Sequence, residues 1–282
     1  MVTNFHMPTV TFDTNVIEFV LDPTKMERAP YRVALSPLVK EAYLELHRLI
    51  RDGKIQGCVS RTYFSYEAIR KNDRRDALIS GLELTIPRLS FYERTLTGAK
   101  FVQTKRIQLD GQFKWYLERM RRYGVKVLWN DRKLWPIVPD LKDEDYFTCD
   151  EDDFNARQCE AARVVEGELG AGFSIFEQEL RKFRDDMTCP LQLLLVQRNE
   201  DKNDGRFFEK DFPAFVGEAS DGDMVISHYA HRCDYLCTND RGKGISGSRS
   251  IFAPNNVEQI GAKLGVKVVT PLELLDFLRR TF

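Results

Sequence analysis

The feature that most restricts the fold is the alternation, over the last sixty or so residues, of helix-length stretches with very short apolar runs. Residues 223–232 and 257–264 carry helical spacing, and 271–280 reads as a final helix with Pro271 at its first position. Between them, residues 234–238 and 266–269 are too short for helices and read as strands. Strands that alternate with helices pair in parallel, because each return to the sheet crosses over through the helix between them. An α/β fold with a central parallel sheet is therefore expected. Ligands of such sheets bind outside the carboxyl ends of the strands.

The start of the chain fits the same frame. Pro8-Thr-Val-Thr-Phe-Asp13 is short, β-branched and apolar, and ends on an acidic residue followed by Thr14 and Asn15, as a buried parallel strand entering a turn would. Ser36 then stands as an N-cap before Pro37, and Val39, Ala42, Tyr43, Leu46, Leu49 and Ile50 form an apolar stripe that Gly53 ends. Residues 54–60 read as a second strand, and residues 62–70 as a helix carrying Glu67. From 72 to 216, short apolar runs alternate with amphipathic stretches at 112–123, 154–169 and 175–183, which predicts a mostly helical insertion. The acidic stretch at 142–153 lacks the glycine and spacing of an EF-hand loop and reads as a solvated connection.

Composition excludes several classes. With 43% apolar residues over 282, the chain has enough core to fold without disulfides. Its six cysteines lack the paired spacing of a zinc site, and reduced thiols suit the cytoplasm. Residues 1–11 lack a basic region followed by an apolar stretch, and no run of eighteen apolar residues occurs, so no signal peptide, membrane span or membrane partner is expected. Forty-two basic against forty-three acidic side chains give no overall electrostatic argument for nucleic acid.

Four acidic residues fall near strand ends or helix starts: Asp13, Glu67, Asp223 and Asp240. A hard divalent cation takes oxygen ligands, usually a few carboxylates together with water and substrate oxygens. Like charges gathered at one sheet edge would oppose folding without a cation, so a metal is their natural counter-charge.

The run Val-Thr-Phe-Asp13-Thr-Asn15-Val-Ile resembles the opening strand of PIN domains. Asp223-Met-Val-Ile-Ser-His-Tyr-Ala, followed by Tyr235-Leu-Cys-Thr-Asn-Asp240, is similar to that family's third acidic residue on a helix and its strand ending in Thr-x-Asp. The stretch from Val59 and Ser60 to Tyr66-Glu67-Ala68-Ile69 resembles the place where PIN domains carry an acidic residue on a helix, and Gly265-Val-Lys-Val-Val-Thr-Pro271 resembles their closing strand and helix. The resemblance spans about the first seventy and last seventy residues.

It implies a three-layer α/β/α fold and a single domain over 1–282, with core segments at about 1–71 and 217–282 and the insertion at about 72–216. It also implies a nuclease that holds Mg²⁺ or Mn²⁺ and cleaves phosphodiester bonds with an activated water, most often in RNA. Asp13, Glu67, Asp223 and Asp240 would be catalytic metal ligands. Asn15, Thr238 and Asn239 would orient ligands or phosphate, and Asp221 is the alternative to Asp223 if the helix starts elsewhere. Arg70, Lys71, Arg241 and Lys243 would meet the nucleic acid, single-stranded or structured RNA. An antitoxin or other protein partner and a homo-oligomer are not identifiable from these residues. The insertion is far longer than in compact toxin-type PIN domains, which counts against a toxin role.

Simpler readings compete. Asp13 alone is a common N-cap, Glu67 a common surface residue, and Asp223 a possible helix cap. His228 and His231 lack a third soft ligand. A haloacid dehalogenase-type phosphatase would need an acid where Asn15 stands. A non-catalytic binding module retaining the PIN fold is the main alternative, and the presence of all four carboxylates argues against it.

Overall fold

The computed structural model describes residues 6–28, 34–69, 82–85, 100–103, 108–130, 137–148, 152–175, 178, 212–242 and 249–281. Seven strands occur among them: β1 (Thr9–Phe12), β2 (Gln56–Ser60), β3 (Leu82–Thr85), β4 (Lys100–Gln103), β5 (Lys126–Leu128), β6 (Tyr235–Cys237) and β7 (Val268–Val269). The main sheet has the order β5-β2-β1-β6-β7 and every pair in it is parallel. β3 and β4 form a separate antiparallel pair. The helices are α1 (Thr14–Leu21), α2 (Pro37–Arg51), α3 (Gly111–Tyr123), α4 (Phe154–Ala162), α5 (Phe212–Ala230), α6 (Pro254–Leu264) and α7 (Pro271–Thr281).

Period-two alternation sends the two sets of strand side chains to opposite faces. Val10 and Phe12 of β1 pack with Ile17, Tyr43, Leu46, Met120 and Leu274, from α1, α2, α3 and α7. Leu236 of β6 instead joins Ala161, Val225 and Ile260, from α4, α5 and α6. Two buried clusters on the two faces of a parallel sheet are the condition for a three-layer α/β/α arrangement. Polar side chains on β1 are satisfied on the α5 side, where Thr11 Oγ1 lies 2.8 Å from His228 Nδ1. No helix among the described residues is long and apolar enough to cross a membrane.

Local chemistry sets the element ends. Ser36 caps α2 by accepting from the Val39 amide at 3.4 Å, Pro37 opens the helix, and the predicted stripe Ala42, Tyr43, Leu46, Leu49 and Ile50 is buried. Gly53 (φ +63°) ends it, with the Lys54 amide returning to the Leu49 carbonyl at 2.8 Å.

Glu67 lies on a helix as expected, a short π-helical one over Tyr63–Glu67. Three expectations differ from the structure. α5 begins at Phe212 and not at 223, because Phe215, Val216 and Ala219 extend its buried stripe toward the N-terminus past Gly222 and Gly217. β5 lies inside the expected insertion yet is the edge strand of the main sheet, so the sheet draws on more than the two terminal segments. Its three residues begin two positions after Gly124 (φ +70°), which ends α3, too short a run to register as a strand. Lastly, the acidic stretch is only partly solvated, since Asp145 is buried and accepts from Arg121 Nε and Nη2 at 2.8 and 2.7 Å.

Candidate functional site

β1 sits between β2, with which the chain builds one half of the sheet, and β6, which leads away to β7 in the other half. The crevice above the carboxyl ends of β1 and β6 is thus a topological switch point, the place where ligands of open parallel sheets bind. The Asp13 amide donates to the Cys237 carbonyl at 3.0 Å and closes the two strand ends together.

Asp13 has an extended backbone (φ −71°, ψ 157°) and caps α1, its Oδ1 accepting from the Thr14 amide at 2.6 Å. Its Oδ2 accepts from Asn15 Nδ2 at 2.5 Å and from Thr238 Oγ1 at 2.6 Å. The Thr238 hydroxyl in turn accepts from the Asp240 amide at 2.9 Å, so one buried oxygen ties both aspartates into a common geometry. Asn15 Oδ1 accepts from the Asn239 amide at 3.1 Å, and Asn239 Nδ2 donates to the Tyr43 hydroxyl at 2.5 Å. Asp240 Oδ1 accepts from the Gly242 amide at 2.8 Å, a tight turn at φ +64° where an added Cβ would lie 2.5 Å from the Ala253 nitrogen. The cap reading of Asp13 and its place at the sheet edge are therefore the same fact: the carboxyl that starts α1 also faces the crevice.

Above these residues opens a cavity of about 330 Å³ lined by Asp13, Glu18, Glu67, Asp221 and Asp240, with Ser60, Thr62 and Ser220 among its polar walls. Burial pushes the Asp13 carboxyl up to about 6, opposed by the bonds from Thr238 and Thr14 and reinforced by the charges of Asp240 and Glu67. Asp221 is held well above the ordinary carboxylate range, first by burial and then by Asp13, Glu218, Asp240 and Glu67. Glu18 has its own counter-ion in Lys25, which also donates to the Tyr116 hydroxyl at 3.2 Å. The charges of Asp240 and Glu67 act on both Asp13 and Asp221, the condition that raises the proton affinity of those two carboxyls.

The structure brings together Asp13, Glu67, Asp240 and Asp221 from the sequence-predicted set; Asp223 does not line the cavity. Two helix positions lie about 200° apart in azimuth, so Asp221 and Asp223 face different ways, and Asp223 is buried at 2% exposure. Gly222 lets this part of α5 approach Gly172 so closely that an added Cβ would lie 2.7 Å from the Gly172 Cα. Arg241 is exposed, 3.9 Å from Glu273, while Arg70, Lys71 and Lys243 lie outside the described residues. Glu18, Ser60, Thr62 and Ser220 escaped the sequence reading. Glu18 follows Thr14 by four residues on α1, so helical spacing from the strand end was the available signal.

The donors are all oxygen, which suits a hard divalent cation. Among the described residues, no three His, Cys, Asp or Glu side chains are grouped so as to hold a metal between them. The fit is that of an ion which keeps several of its own waters and touches one or two carboxylates, as Mg²⁺ commonly does. Comparison with protein-family models, with curated proteins and with solved structures returns no match.

Proposed function

We propose that this chain is a metal-dependent nuclease of the PIN-domain type, an endoribonuclease in the first instance, hydrolysing phosphodiester bonds at the crevice above β1 and β6. The observation that carries the reading is the convergence of Asp13, Glu67, Asp221 and Asp240, from four separate segments, on one cavity at the switch point. A bound Mg²⁺ or Mn²⁺ would supply positive charge to the scissile phosphate and acidify a water for attack. One or two of Asp13, Asp240 and Asp221 would touch that ion directly, and the others, with Glu67, would reach it through its waters.

The chain's own residues do the rest. Thr238 and Asn15 fix the Asp13 carboxylate in one rotamer, so its geometry is set before substrate arrives. RNA is chosen over DNA on the family's commonest activity. The competing reading, a non-catalytic nucleic-acid-binding module of the same fold, draws on the three hydrogen bonds that already occupy the Asp13 oxygens.

Cleavage of end-labelled single-stranded RNA and DNA by the purified full chain, with Mg²⁺, Mn²⁺ or EDTA, separates the two. Metal-dependent cleavage that disappears in folded Asp13→Asn and Asp240→Asn supports the nuclease; binding without cleavage under every condition supports the module.

A further inference from the structure

The carboxyl edge of the sheet carries a second feature two strands from Asp13. Thr11 is in register with Cys58 and Ser60 with Leu128, so the row beyond the last β2–β5 pair sets Arg61 opposite Trp129. The Arg61 amide extends that ladder by donating to the Leu128 carbonyl at 3.3 Å. The Arg61 guanidinium lies over the Trp129 ring, 4.8 Å from its centroid. Tyr146 meets the same indole edge-on at 5.3 Å, and a His231 ring nitrogen lies 3.0 Å from the Trp129 carbonyl. Held by a strand end, a cation, an aromatic edge and a backbone contact, Trp129 still has 38% of its surface exposed.

Single exposed apolar residues are ordinary on protein surfaces. Trp129 differs in being fixed: a ring already ordered by its neighbours loses little further freedom when something stacks on it. Its neighbours also choose the chemistry. An indole offers a π-face that any base can use, and an arginine beside it adds positive charge that attracts the phosphates of a strand. At ~4.8 Å per strand, Arg61 beyond β2 lies one spacing from the β1 row and Trp129 beyond β5 two, roughly 10 Å across the sheet. Ser60 and Thr62, which flank Arg61, line the carboxylate cavity itself.

We propose that Arg61 and Trp129 form a stacking subsite for an unpaired nucleobase, belonging to a single strand whose nearby phosphate lies in the carboxylate cavity. The phosphate's place rests on the nuclease reading; the stacking does not. A paired base keeps its faces inside its own helix, so the subsite selects single strands over duplex.

The test is fluorescence anisotropy of a labelled single-stranded RNA, the matching DNA, a duplex and a single strand with abasic positions, bound by the full chain in EDTA. Wild type should bind either single strand at least about tenfold more tightly than the abasic one. Trp129→Ala should lose about that factor on single strands and little on duplex, and Trp129→Phe should keep most of the wild-type affinity. The abasic strand needs no variant, so it decides even if Trp129→Ala fails to fold. No single-strand binding by wild type, equal binding of abasic and normal strands, or equal losses on single strand and duplex would each overturn the subsite. If cleavage is absent but base-dependent binding persists, the nuclease reading falls and the subsite stands. If metal-dependent cleavage proceeds with an unchanged KM in Trp129→Ala, the subsite falls alone.

Discussion

Replacing Asp13 by asparagine removes a buried charge while keeping its shape, and the consequence depends on pH with a definite sign. The Asp13 carboxyl is pushed from the ordinary 3.8 to about 6. At ~1.4 kcal/mol for each tenfold change in proton affinity, ionising it in the folded protein costs about 3 kcal/mol relative to the unfolded chain. A raised carboxyl favours the fold below about pH 4, and that contribution is lost as pH rises through about 6. Asparagine escapes the cost but fits the site less well. With its oxygen toward Asn15 and Thr238, its amide would face the Thr14 N–H, a mismatch of about 1–3 kcal/mol at every pH. Asp13→Asn should therefore be less stable than wild type by that amount near pH 4, and near pH 8 should equal or exceed wild type.

The assay is urea denaturation of both proteins in EDTA, read as the difference between them. Subtraction matters because His228, pushed down to about 3 by burial, works in the opposite direction. Its depressed proton affinity supports the fold above the ordinary 6.5 and withdraws that support as pH falls toward 3. That contribution is common to both proteins and cancels. A difference that stays constant between pH 4 and pH 8 would refute the reasoning.

Thr238→Val removes the hydroxyl shared by Asp13 and the Asp240 amide, and should cost about 1.5–3 kcal/mol in urea denaturation near pH 8. Gly222→Ala forces apart the contact with Gly172 and should cost about 1–3 kcal/mol in the same measurement. Asp145→Asn weakens the fork from Arg121 and the bond from the Lys142 amide, with an expected loss of about 1–3 kcal/mol near neutral pH. The Asp145 carboxyl is lowered, chiefly by the Arg121 bond acting against burial, so its contribution is present above the ordinary 3.8 and disappears as pH falls further. The Asp145→Asn penalty should fade in the same window, as followed by circular dichroism during acid titration.

The sheet was legible where strands are bounded by strong punctuation. β1 ends at an aspartate cap, and α2 is framed by Ser36 and Gly53. Asp13 and Asp240 were readable because a parallel strand end limits where such residues can project. Less legible was anything decided by tertiary contact. Gly222 lies inside α5, where it serves a close approach to Gly172 that no local pattern announces, so the start of that helix at Phe212 was not legible. β5 is three residues long and takes its identity from pairing with β2. Asp145 looked like one more solvated acid; its partner Arg121 lies 24 residues earlier, beyond any local pattern.

The central claim is that Asp13, Glu67, Asp221 and Asp240 act together on a divalent cation, and titration calorimetry of Mn²⁺ into the metal-free full chain near pH 8 tests it most directly. Wild type and folded Asp223→Asn should bind the ion with similar affinity, while Asp13→Asn and Asp221→Asn should each weaken it at least tenfold. Absence of binding by wild type, or equal affinity in all four proteins, would contradict the account.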